Sequence, residues 1–270
     1  MGPLPIAHNP LPEPMPLKFA EHTLKLFFLE IQALFSLTWR ALLNIFRHPF
    51  YYREFTTQMD KIGVESLFII SLTGLFTGMV MALQALIQLK PFAATSYVGG
   101  MVAVTMVKEL GPVLSALMVS GRVGSAISAE LGTMVVTEQV DAMRVEGTDI
   151  IKRLVTTRLK ALLIAMPLLA VVTDGISLIG GYIMSFSYGI NPVMYWKSIP
   201  QFMVFQDLIE GVFKPAFFGG IIAMISCYVG LNTSGGAAGV GNSAKRAVVL
   251  ASVLILVSDF FLTKIFIVFR

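Results

Sequence analysis

The residues of this 270-residue chain best placed to do chemistry are the few charges embedded in its long apolar runs. Lys108 and Glu109 stand together just before Gly111 and Pro112, Asp174 and Asp259 stand alone, and Glu210 and Lys214 are four apart. A charge at membrane depth is costly, so each of these side chains needs a partner or a wet cavity. Two chemistries are open for Glu109: it walls a cavity, or it belongs to a structural ion pair. With Asp174 it would also compose a proton relay, as in a proton-coupled secondary transporter of a lipid-like substrate. Glu210 and Lys214, one helical turn apart, are expected to neutralise each other.

Other chemistries are excluded by what the runs lack. His8, His22 and His48 all precede the first strong apolar run, which removes histidine from the membrane interior. The lone Cys227 allows neither an intramolecular disulfide nor a cysteine metal cluster. No catalytic set and no metal site are therefore expected. Gly235, Gly236, Gly239 and Gly241 resemble a phosphate loop, but the Gly-Lys-Ser/Thr ending is missing and a membrane helix precedes them. Any energised work must draw on a partner or an ion gradient.

The elements that position these residues follow from composition. Hydrophobic residues make up 56% of the chain and charged ones 13%, against about 25% charged in soluble domains. Mean hydropathy is +0.78. Several apolar runs reach the roughly twenty residues that cross a hydrocarbon core. The reading is an all-α integral membrane protein with five spans near residues 64–89, 97–129, 162–186, 202–231 and 247–269. Gly111 and Pro112 predict a kink or break in the second span. Residues 130–160 hold too many charges to cross, and residues 191–201 predict an interfacial helix around Tyr195 and Trp196. Residues 18–46 mix apolar positions with Lys25, Glu30, Gln32 and Arg40. That pattern favours an amphipathic helix lying in the interface over a further span. Pro3, Pro5, Pro10, Pro12, Pro14 and Pro16 fill the place of a signal-peptide core, so residues 1–17 read as a disordered or extended tail. Residues 18–62 then form the interfacial helix and linker, and residues 63–270 the membrane domain.

The net charge of +4 sits in loops, which argues for topology and against a nucleic-acid partner. Lys and Arg concentrate before span one, after span two and after span four, while the opposite loops hold only Lys90 and Lys197. By the positive-inside rule the N-terminus is cytoplasmic and the C-terminus lies outside. Within span two, Ser120, Gly121, Gly124, Ser125, Ser128 and Gly132 repeat at helical spacing, which lets backbones approach closely. Arg122 interrupts that run and should face a partner group or the cytoplasmic boundary.

The sequence from Glu109-Leu110-Gly111-Pro112 through Ser120-Gly121-Arg122-Val123-Gly124-Ser125 to Glu130-Leu131-Gly132-Thr133 and Thr137-Glu138-Gln139 resembles the MlaE (YrbE) permeases. These are membrane subunits of MCE-type lipid ABC transporters. The resemblance continues through Gly230-Leu231-Asn232-Thr233, Arg246 and Asp259 to Thr263, and covers about residues 63–269. It implies a homodimer in the bacterial inner membrane, driven by a cytoplasmic ABC ATPase dimer and facing a hexameric ring of periplasmic MCE-domain protein. The implied cargo is phospholipid moving between inner membrane and outer envelope, which maintains outer-membrane asymmetry. No cofactor is implied for this chain itself, since ATP would bind the partner. The short helix after span two would be the coupling helix that docks in the ATPase, placing Thr137, Glu138, Gln139, Asp141 and Ala142 at that contact. Glu109, Gln84, Leu89 and Phe92 become candidates for the lipid cavity, and Gly121, Arg122, Gly124 and Ser125 for helix packing. A mostly apolar lining would suit lipid tails better than a sugar or an ion.

Overall fold

The structure, a computed structural model, describes residues 15–47 and 51–268, and every regular element among them is a helix. Helix α1 (Met15–Leu43) is followed by a short turn, then α2 (Tyr52–Ile62) and α3 (Leu67–Leu89). Helices α4 (Val98–Thr105), α5 (Gly111–Val119) and α6 (Ser125–Val136) join into one rod through π turns at Met106–Leu110 and Ser120–Gly124. The short α7 (Gln139–Val145) leads by a third π turn into α8 (Thr156–Ser187), and α9 (Pro192–Phe202), α10 (Phe205–Leu231) and α11 (Gly236–Val268) complete the order. His8 and the proline-rich residues 1–14 lie outside the described residues, as does His48.

Five helical stretches are long and apolar enough to cross a membrane: Tyr52–Phe92, Thr95–Val136, Ile151–Ser187, Phe205–Leu231 and Gly236–Val268. Helix α1 is not one of them. It lies against the bundle instead, with Ala41 buried, Leu34 and Leu37 packed on the core, and Glu30 paired with Arg246 of α11 at 3.0 Å. Its other face exposes Phe35 and Trp39, the two-sided pattern of an interfacial helix.

Helix α8 is the centre of the bundle, with α3 on one side and α10 on the other. Close approach of α3 and α8 depends on glycine, because a Cβ at Gly78 would collide with the Ser177 carbonyl and one at Gly180 with the Leu75 carbonyl. In lipid, where apolar surface alone drives no association, such backbone-to-backbone packing supplies the attraction. The end of the bundle away from α7 is closed by α9, whose N-terminus is capped by Asn191 accepting from the Val193 N–H at 2.9 Å. Tyr195 on α9 is buried, donates to the Leu178 carbonyl at 3.0 Å and stacks edge-on with Tyr182 and Trp196. Burial pushes its phenol above the ordinary tyrosine range.

The kink expected near Gly111 takes the form of a π turn in a rod that stays helical. Pro112 has no N–H, so the Lys108 carbonyl loses its helical partner. The chain widens by one residue here, and the Gly111 N–H donates to the Met106 carbonyl.

Candidate functional site

The carbonyl orphaned by Pro112 is the seed of a charge network inside the bundle. Lys214 of α10, its side chain wholly buried, donates to the Lys108 carbonyl at 3.0 Å. The same ammonium reaches Glu109 Oε2 at 2.9 Å, Thr263 Oγ1 at 2.7 Å and Asp259 Oδ1 at 3.4 Å. Thr263 lies 3.3 Å from both Glu109 oxygens. Lys108 turns the other way, to Asp207 at 3.1 Å and Glu210 at 3.9 Å. Two adjacent charges on one π turn thus grip one face of α10 at successive turns, and one of them also reaches α11.

The expected pairing of Glu210 with Lys214 does not form. Although both lie on one face of α10, Glu210 takes Lys108 and Lys214 takes Glu109 and Asp259. A fully buried ammonium has three protons to satisfy, and the rod and α11 offer acceptors from three directions where a neighbour on its own helix offers one. Sequence reasoning missed Asp207 and Thr263 as members. The available signal was Pro112 four residues after Lys108, which announces an orphaned carbonyl in need of a donor.

Asp174 of α8 packs directly on Gly111, where any side chain would collide with its carboxylate. Its Oδ1 is buried with no hydrogen-bond partner. Glu109 instead turns toward α10 and α11, so the two carboxylates expected to form a relay face different neighbours.

The packing candidates sit at the next π turn. Gly124 faces Ser226 of α10, where an added Cβ would come within 3.1 Å of the hydroxyl. Gly121 meets nothing within 4 Å, and the Ser125 hydroxyl donates back to the Gly121 carbonyl at 2.6 Å. Arg122 straps this turn to the start of α3. Its guanidinium pairs with Glu65 and donates to Ser66 Oγ at 2.7 Å and to the Lys61 carbonyl at 3.3 Å.

At that same end Thr137, Glu138, Gln139, Asp141 and Ala142 are all exposed, while Val140 anchors α7 to the core. Glu138 has φ of 60°, a left-handed backbone that lets the chain reverse between α6 and α7 and that costs a non-glycine residue about 1 kcal/mol. Behind α7 lies a charged groove of about 660 Å³ between α2, α6 and α8. Across it Arg153 pairs with Glu54 at 3.2 Å and Arg158 with Glu130 at 3.0 Å.

The remaining cavity candidates lie at the opposite end. Gln84 and Phe92 are exposed and Leu89 packs on the small core under α9. A cavity of about 610 Å³ opens beside them, lined by Leu86, Ile87, Lys90, Ser96, Asn191 and Met194 among others, and by none of the three. Glu109 is eleven residues beyond Val98, or about 16 Å deeper along the rod. Within one chain the four residues therefore form no common wall.

Residues 55–265 match the family model described as Permease MlaE. The chain belongs to the MlaE permease family. The match takes in α3 through α10 entire, hence the whole charge network and α7. This MlaE-family chain is 42% identical over 235 residues to a probable ABC transporter permease protein of Rickettsia bellii, covering 87% of this chain and 90% of that protein. It is 35% identical over 210 residues to the intermembrane phospholipid transport system permease protein MlaE of Haemophilus influenzae, covering 77% and 80%. The chloroplastic protein TRIGALACTOSYLDIACYLGLYCEROL 1 of Arabidopsis thaliana is 35% identical over 228 residues, covering 84% of this chain and 65% of that protein. The permease is thus a multi-pass ABC transporter subunit and not an enzyme.

Proposed function

We propose that this chain is the permease of an ATP-driven phospholipid transporter, moving lipid between the inner membrane and the outer envelope and so maintaining outer-membrane asymmetry. The match of residues 55–265 to the MlaE permeases carries this reading, and the phospholipid transport named for the Haemophilus relative gives the cargo. In the working assembly two copies of the permease meet a cytoplasmic ATPase dimer and a periplasmic ring of MCE-domain protein. ATP binds the partner, and this chain needs no cofactor of its own. The N-terminus faces the cytoplasm and the C-terminus the periplasm, a reading that the distribution of Lys and Arg supports.

In this mechanism α7 receives the ATPase stroke through Glu138, Gln139 and Asp141. Val140 transmits it to the core, and the rod of α4, α5 and α6 carries it to the charge network. Glu109, with its side chain 36% exposed, is the member of that network presented to the cavity shared with the second copy. Gln84, Leu89 and Phe92 border the outer mouth of that cavity.

The deciding experiment is co-purification of the tagged permease with its partners from native membranes, with and without Glu138→Lys plus Asp141→Lys. Recovery of an ABC ATPase and an MCE-domain protein with wild type, and loss of the ATPase with the double variant, is the expected result. A solitary permease that transports under a proton gradient would overturn it. A photoreactive residue at position 109 should crosslink phospholipid, and failure to do so while control positions succeed would remove Glu109 from the cavity.

A further inference from the structure

Two apolar slots run along the surface of α8 at its α7-proximal end, beneath the N-terminal helices. The first, about 380 Å³, lies between α1 (Leu34, Thr38, Leu42) and the spans (Phe217, Ile221, Leu254), and no charged residue lines it. The second, about 420 Å³, lies between α8 and the start of α2, where Ile45, Tyr51, Tyr52 and Phe55 face Ile164 and Lys160. Leu163 lines both and is the wall between them.

The first slot does not suit water, because a buried water needs two to four polar partners and Thr38 is the one polar side chain lining it, while the second combines apolar walls with a polar rim of Lys160 and two tyrosines. Both are bounded by helices that face lipid on their outer sides, so hydrocarbon is the solvent at hand. Their one charged lining residue is a cation. Lys160 stands at the rim of the second slot. Arg153 lies 5.8 Å above the Tyr51 ring on the same rim, held there by Glu54. Two tyrosines at the mouth complete the profile of a membrane interface.

We propose that this paired cleft holds one anionic diacyl phospholipid of the cytoplasmic leaflet, with one acyl chain in each slot on either side of Leu163 and its phosphate at Lys160. The lipid is a resident one, seated apart from the transport cavity, and it fills the space that binds α1 and α2 to the bundle. The leaflet assignment rests on the orientation proposed above. The cleft explains why an amphipathic helix can lie over the bundle without side chains long enough to fill the gap beneath it.

Gly220 gives access to a test, because a Cβ there would make only an ordinary 3.8 Å contact with Leu163. The full-length chain would carry one tryptophan reporter in the first slot, Leu42→Trp, in a Trp39→Phe, Trp196→Phe background. In nanodiscs without ATPase, chain-brominated phosphatidylglycerol should quench it at a mole fraction lower than brominated phosphatidylcholine by about five-fold per cation engaged. Lys160→Glu should erase that preference while leaving the fold intact. Gly220→Phe should abolish saturable quenching by either lipid. A reporter at the α3 surface, Phe76→Trp, should show no preference.

Equal quenching by both lipids at position 42, or a preference untouched by the Lys160 reversal, would overturn the proposal. The assay contains no transport step, so its failure leaves the transporter reading standing. Conversely, absence of an ATPase partner would leave the lipid site intact.

Discussion

The permease carries two sets of ion pairs, one inside the bundle and one around the groove behind α7, and they are built on opposite principles. Within the bundle the Lys214 side chain is fully buried and Asp207 is 1% exposed. Around the groove Arg153 and Glu54 are 39% and 34% exposed. Buried partners cannot fall back on water, so removing one strands the other. Partly exposed pairs exchange each other for solvent at little cost and are screened by salt. The inner set therefore fixes the architecture, while around the groove the Arg153–Glu54 pair can exchange for solvent and Arg158, 4% exposed, cannot.

Lys214→Met should break this comparison most severely. It strands Glu109, Asp259 and the Lys108 carbonyl together, and a loss of about 3–5 kcal/mol is expected, read as thermal unfolding in mild detergent. Adding Glu109→Gln and Asp259→Asn should restore a large part of it. A Lys214→Met protein as stable as wild type would show that the network is not structural.

Next in size, Asp207→Asn leaves Lys108 paired with Glu210 at 3.9 Å, and about 1.5–3 kcal/mol should be lost. Below it comes Glu54→Gln, where less than about 1 kcal/mol is expected and the difference should vanish in roughly 1 M salt. The Lys214 effect should survive that salt, and equal salt sensitivity of the two variants would erase the distinction between the sets. Smallest is Glu138→Gly, which relieves the left-handed backbone and should be neutral or stabilising by up to about 1 kcal/mol. A marked loss of stability there would mean that the Glu138 side chain, not the turn, holds α7.

Much of this architecture was legible in the residues. Five apolar runs, the amphipathic N-terminal helix and the charged segment between spans two and three each rest on local composition, and the helices follow that composition. Arg122 was legible too as a charge in need of a partner. What was not legible was which charges meet. Glu210 and Lys214 look paired because helical spacing is readable along a chain, whereas the contact of Lys214 with Glu109 and Asp259 depends on where three helices cross. The slots beneath α1 were invisible for the same reason: Leu34, Leu163 and Phe217 read as ordinary packing residues, and only their separation in space leaves a cleft. Gln84, Leu89 and Phe92 came from resemblance and share one end of the molecule, but their common wall would need the second copy.

The glycine seam between α3 and α8 also limits how the molecule can move. With backbone set against backbone at Gly78 and Gly180, neither helix can slide along the other without driving a carbonyl into a Cα, so the two travel as one rigid plate. Helix α11 is held much more lightly, with 11% of its most apolar stretch buried against 61% for α10. Any displacement of α11 relative to α10 would have to break the contacts of Lys214 with Asp259 and Thr263.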